Sequence, residues 1–305
     1  MPKMTRRGHF ATIRIDIKAA ILECVGTTFF LLFGLGGIQA ATAGTLASSS
    51  ESAPSQIEHV LYISTSMGLS LLVSAWLFFR ITGGLFNPNV TLALMLVGVV
   101  PPVRFVLMCI AQLLGAIIAS AILCGLTPGP LASNTFLQSD INAAQGVFIE
   151  MFATAALVTA VLMLAAEKHQ ATPFAPIGIG LTLFACHLFA VFYTGAAMNT
   201  ARAFGPAVVT GFTYPHHWVY WLGPFLGSLL ASGFYILLKY MHYQDLNPAQ
   251  ASTNPDDSPA PPILATDDDA GAHGEAHGEA HSGVGAGARE NKGPKTSMSE
   301  GSTSV

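Results

Sequence analysis

The chain has 305 residues, of which 51% are hydrophobic and only 10% charged, against roughly 25% charged in an average soluble domain. Six charges fall in residues 1–18 and thirteen in residues 244–305, which leaves 11 for the 225 residues between them. So few charges cannot cover a water-facing surface, so a soluble globular enzyme is excluded and the middle of the chain reads as a polytopic membrane domain.

Residues 1–18 are basic and polar and are expected to form a cytoplasmic N-terminal segment. The apolar run behind them is long enough to span a bilayer and has no clear cleavage site, which argues against a signal peptide. Six windows reach the length of about 20 apolar residues that a spanning helix needs. They are predicted at 19–41, 57–79, 103–123, 141–166, 174–192 and 218–240. Two further apolar stretches, 87–98 and 199–210, are too short to cross. Lys3, Arg6, Arg7, Arg14 and Lys18 precede the first window, Arg80 and Arg104 flank the second and third, Lys168 lies between the fourth and fifth, and Lys239 ends the sixth. The loops at 42–56, 124–140 and 211–217 hold no Lys or Arg. The positive-inside rule therefore predicts that both termini are cytoplasmic. Arg202 falls in the second short stretch, at membrane depth, where an ionisable residue is a functional candidate by default. A purely structural Arg there needs an acidic partner, and no neighbour in the sequence supplies one.

Cys24, Cys109, Cys124 and Cys186 lie in apolar runs with no paired spacing, so neither a metal site nor a disulfide framework is predicted. Residues 244–305 are acidic and rich in Gly, Pro, Ala and Ser, and are expected to be a disordered cytoplasmic tail. His273, His277 and His281 recur there every four residues, but Gly274 and Gly278 oppose the helix that would align them, so a solvated linker is expected.

The two halves of the membrane domain align at an offset of 112 residues without a gap. Gly68-Leu69-Ser70-Leu71 matches Gly180-Leu181-Thr182-Leu183, Thr82-Gly83 matches Thr194-Gly195, Asn87 matches Asn199, and Gly115 matches Gly227. Glu23-x-x-x-Thr27 resembles Glu150-x-x-x-Thr154. Each unit holds three spans, and an odd number forces the second unit to insert upside down, as an inverted-topology repeat. Asn87-Pro88-Asn89 and Asn199-Thr200-Ala201 open the two short stretches. Asn is a good N-cap and Pro is preset for the first helical turn, so both stretches are predicted as half-helices, one entering from each side. Irregular backbone at that depth is tolerated where it lines a wet cavity, which makes a pore the expected feature. Glu23 and Glu150 are read as buried structural carboxylates that accept hydrogen bonds from the bare backbone before the half-helices. Gly26, Gly68, Gly115, Gly180 and Gly227 are read as close helix-crossing points.

These motifs resemble the two half-helix motifs of the aquaporins, the major intrinsic proteins, and the stretch from Tyr193 to Val208 is especially close to the second of them. The resemblance covers residues 19–243. Three positions depart from the family pattern: Asn89 and Thr200 alter the two Asn-Pro-Ala triplets, and Leu85 stands where a His is usual. The resemblance implies an all-α channel of six transmembrane helices and two re-entrant half-helices, a homotetramer in a lipid bilayer. It implies a passive water channel that excludes protons and ions, with no enzymatic activity, cofactor, metal or nucleic-acid partner, and points to the plasma membrane. Asn87 and Asn199 would donate amide N–H groups to passing water. The selectivity filter would be Met67, His187, Ala196 and Arg202. His187, Ala203 and the pair Tyr220-Trp221 differ from glycerol-conducting relatives and point to water, whereas Met67 replaces the usual Phe and softens the filter. A channel for hydrogen peroxide, ammonia or glycerol is the alternative. A secondary transporter lacks the coupling residues it needs, and a non-conducting adhesion protein has no use for Asn87, Asn199, His187 and Arg202.

Overall fold

The computed structural model describes residues 12–47 and 56–251, and among them there are eight α-helices and no strand. In chain order they are α1 Ile13–Ala47, α2 Gln56–Phe78, α3 Pro88–Leu96, α4 Pro102–Leu126, α5 Ala143–Val161, α6 Ala175–Thr194, α7 Thr200–Thr210 and α8 Val219–Tyr240. A π-turn over Leu162–Ala166 continues α5, and a 3-10 turn over Thr172–Phe174 leads into α6. Six helices are long and apolar enough to cross a membrane. The nine residues of α3 and eleven of α7 are not. At 1.5 Å per residue they reach about half of a hydrocarbon core of roughly 30 Å.

The first helix begins six residues earlier than the hydropathy pattern suggests. Asp16 explains this, since it is 1% exposed, accepts from Thr12 Oγ1 and pairs with Arg104 Nε at 2.6 Å. A charge that looks solvated in the sequence is thus buried against α4, and the helix extends to hold it. Asn142 and Gln145 form a reciprocal capping box, which sets the start of α5 at Ala143. At the other end of the domain the structure continues past residue 243 in two 3-10 turns, Tyr243–Leu246 and Pro248–Ala251. Glu167, beyond the end of α5, anchors them: it accepts from Tyr235 Oη, Lys239 Nζ and Gln244 Nε2. Burial disfavours its charge, but the Tyr235 hydroxyl and Lys239 outweigh that and hold the carboxyl below its usual range. Lys3, Arg6, Arg7, part of the first loop, and His273, His277 and His281 lie outside the described residues.

Helices α1–α4 and α5–α8 are the two repeat units. In the first, α1 packs on α2 and α4; in the second, α5 packs on α6 and α8; α2 and α6 join the units. Lipid is as apolar as leucine, so these contacts depend on close packing rather than hydrophobic burial. The glycines provide it. A Cβ on Gly115 would lie 2.7 Å from the Cys24 carbonyl oxygen, and one on Gly227, its repeat equivalent, 2.5 Å from that of Met151. Gly68 and Gly180 face one another across α2 and α6, each crowding the other's carbonyl. Gly26 differs, since it makes room for the Phe86 ring rather than for a helix. Following the chain back and forth brings α3 in from the side of the N-terminus and α7 from the opposite side, and the two short helices meet in the middle.

Candidate functional site

Asn87 and Asn199 cap α3 and α7. The Asn87 side-chain oxygen accepts from Asn89 N, and that of Asn199 accepts from Ala201 N and Arg202 N. Each amide nitrogen crosses to the other repeat: Asn87 Nδ2 donates to the Met198 carbonyl at 2.9 Å, and Asn199 Nδ2 to the Phe86 carbonyl at 2.8 Å. An amide has two N–H groups, so each cap keeps one donor beyond this crossed pair while its oxygen is occupied.

The carbonyls point that way because the residue before each cap is left-handed. Phe86 and Met198 both have φ of 51°, a conformation uncommon for bulky side chains and costing about 1–3 kcal/mol. The buried carboxylates hold these residues. Glu23 accepts from Phe86 N and from Gln112 Nε2. Glu150 accepts from Met198 N at 2.7 Å, Ala197 N at 2.9 Å and Thr194 Oγ1 at 2.6 Å. The same device therefore occurs twice, related by the repeat: a carboxylate on the first helix of the unit, a left-handed residue, and an Asn cap. Phe86 and Met198 were not singled out in the sequence, although they share the 112-residue offset of the Asn pair.

Asn89 and Thr200, the two departures from the family triplets, meet each other. Thr200 N donates to Asn89 Oδ1 at 3.0 Å, and the Thr200 hydroxyl lies 2.9 Å from the same oxygen and 3.1 Å from the Tyr220 carbonyl. A proline at position 200 has no N–H and an alanine at 89 has no acceptor, so each departure supplies the partner that the other requires. Pro88 occupies the first turn of α3, and Ala201 is fully buried in α7.

A cavity of about 430 Å³ runs along this junction. Its lining includes Asn87, Asn199, Met67, Arg202, Leu85, Arg104 and Lys168, but neither His187 nor Ala196. Arg202 is 1% exposed; Nη1 donates to the Ser133 carbonyl at 2.8 Å and Nη2 to Gly195 at 3.3 Å. Its Nε has no protein partner. Glu150 lies within electrostatic range, which the sequence did not reveal, but its bonds go to backbone and Thr194 rather than to the guanidinium. His187 is fully buried, with Nδ1 2.9 Å from the Leu183 carbonyl. A carbonyl only accepts, so Nδ1 carries the proton and Nε2 of the neutral ring is an acceptor. That atom too has no protein partner. Met67 is 1% exposed, and its sulfur rests against Gly34 of α1. Ala196 follows Gly195 with φ of 51° and is fully buried.

Cys186, next to His187, faces the other way, toward the Ala153 carbonyl of α5 at 3.6 Å and an outer groove shared with Phe152 and Phe189. Mercury requires a soft thiolate ligand. Mercurial inhibition of the wild type is therefore expected to be weak and slow, and Ala196→Cys is expected to make it fast. Stopped-flow osmotic swelling with and without mercuric chloride measures both; a strong wild-type block abolished by Cys186→Ser contradicts this arrangement.

Comparison with known proteins agrees with this architecture. A family model described as Major intrinsic protein matches residues 10–235. The chain is 68% identical over 254 residues to Aquaporin-1 of Laccaria bicolor, covering 83% of this chain and 81% of the relative. It is 46% identical over 236 residues to Aquaporin-1 of Gibberella zeae, with 77% and 74% covered. Among solved structures, the aquaglyceroporin from Plasmodium falciparum superposes with a TM-score of 0.60 at 17% identity, covering 74% of this chain and 98% of that one. A six-span inverted repeat with two capped half-helices meeting at its centre, together with these matches, makes this chain a member of the major intrinsic protein family, a transmembrane channel for water or small solutes.

Proposed function

We propose that this channel conducts water passively and excludes protons and ions, with Met67, His187, Ala196 and Arg202 as its selectivity filter. The observation that carries this reading is the crossed cap pair. Each Asn oxygen is occupied and one N–H of each amide is committed, so what remains at the junction is donors. Water passing there presents its oxygen to both caps and cannot pass a proton along a continuous chain. The N-terminal ends of α3 and α7 add positive potential from both sides. In the filter residues, Arg202 Nε is a donor and His187 Nε2 an acceptor, and neither is bonded within the protein.

A fluorescent pH dye inside proteoliposomes tests the proton barrier. Wild-type vesicles should shrink osmotically fast while their internal pH decays at the rate of protein-free vesicles, and a protonophore-like leak refutes the reading. Permeation of hydrogen peroxide, ammonia or glycerol is the second reading, and Met67 favours it: its thioether is flexible and occupies space that Gly34 leaves against α1. Both termini are proposed to be cytoplasmic, in the plasma membrane, with the chain assembled as a homotetramer. The apolar side chains exposed on the outer faces of the spans, such as Phe33, Trp76, Phe152 and Leu181, fit contact with lipid and neighbouring copies.

A further inference from the structure

Arg202 is held from outside its own helix. The shorter of its two tethers, at 2.8 Å, comes from the Ser133 carbonyl in the connection between α4 and α5. That connection forms no helix or strand between Thr127 and Asn142, and a loop left to itself is the most mobile part of a fold. A fixed carbonyl there requires fixing from outside. Two side chains bracket it. Gln39 of α1 donates from Nε2 to the Pro130 carbonyl at 3.1 Å and accepts at Oε1 from Ala132 N at 2.8 Å. On the other side of Ser133, Asn134 Nδ2 donates to Thr210 Oγ1 at 3.0 Å, at the end of α7.

Gln39 is only 5% exposed, and Ser133 is fully buried. A buried carboxamide in a spanning helix is unfavourable unless its polar atoms are bonded. Here both ends of it are spent on the loop backbone, on the two residues flanking Leu131. We infer that Gln39 is a positioning residue for solute selection. It clamps the 130–132 backbone, which sets the next carbonyl, that of Ser133, and so the Arg202 guanidinium. This rests on the reading of Arg202 as part of the filter. Gln39 is bonded to the loop rather than to Arg202, so its influence on selection passes through Ser133. Asn134 closes the same clamp from the α7 side.

Gln39→Leu keeps the approximate volume and removes both bonds, while Asn134→Ala removes the other clamp with a small change on a half-buried loop and keeps the test readable if Gln39→Leu does not assemble. The full-length protein is reconstituted in liposomes, and urea and water permeabilities are measured by stopped-flow light scattering. Each variant is made alone and in an Arg202→Val background. Both single variants are expected to raise the urea-to-water ratio about threefold to tenfold, as loss of one or two net hydrogen bonds allows. In the Arg202→Val background, whose own ratio is raised, neither should raise it further. An unchanged or lower ratio in both single variants overturns the inference, as does an equal rise when Arg202 is already valine, because a merely structural defect persists there. If Arg202→Val by itself leaves the ratio at the wild-type value, the filter reading fails and the positioning role fails with it.

Discussion

Glycerol and urea will cross the His187→Gly, Arg202→Val double variant at least about tenfold faster than the wild type, a factor equivalent to about 1.4 kcal/mol. In the proposed filter the two residues bring different restraints. His187 contributes the bulk of an imidazole held upright by the Leu183 carbonyl, and Arg202 a permanent charge tied to Ser133 and Gly195. His187 Nε2 and Arg202 Nε have no partner within the protein. Glycine and valine leave a wider and apolar passage. Removing the guanidinium also removes a repulsion that, for a cation 4 Å away in a medium of intermediate dielectric, is about 4 kcal/mol. Small-cation permeability is therefore expected to rise together with that of the solutes. Liposome swelling under glycerol and urea gradients and a potassium-dependent voltage dye report the two effects separately. Glycerol flux that stays at the lipid background removes these residues from the filter.

The second large effect concerns the junction of the half-helices. Asn89→Ala leaves the Thr200 N–H without its acceptor, and Thr200→Pro leaves the Asn89 side-chain oxygen without either donor. A buried polar group stripped of its partner costs about 1–3 kcal/mol, whereas removing both partners together approaches neutrality. Proline is also well placed at this position. It is preset for the first helical residue, and Asn199 before it is already extended, with φ of −152° and ψ of 109°. Each single variant is expected to lower the thermal midpoint in detergent and reduce water flux. The double variant should recover most of both, with a coupling of about 1–3 kcal/mol in a double-mutant cycle. Additive losses would show that the two residues are not energetically coupled.

The arrangement also explains how the two half-helices stay joined despite those departures. Read along the chain, Asn89 and Thr200 are two separate deviations more than a hundred residues apart. In the fold they form one hydrogen-bonded pair, and the half-helices remain capped and in contact. The sequence could not reveal this, because the pairing exists only once α3 and α7 enter from opposite sides and meet.

What the sequence determined by itself is whatever depends on local composition and period. Scarcity of charge required a membrane domain, the lengths of the apolar windows required six spans, and equal spacing of matched residues required an inverted repeat. Asn87 and Asn199 were legible as caps because capping is a property of a few adjacent residues. Tertiary structure alone decided the rest, because the remaining determinants are backbone groups and distant partners. Phe86 and Met198 take a left-handed conformation that their side chains do not favour, stabilised by Glu23 and Glu150 from other helices. Asp16 is buried because Arg104 reaches it from α4, which extends the first helix beyond its apolar run. Ser133 and Gln39 carry no signal of their own: one contributes a carbonyl that every residue has, and the other is one of several polar side chains in an apolar span. Their importance comes from where the loop is held, and only the folded chain brings α1, that loop and Arg202 into register.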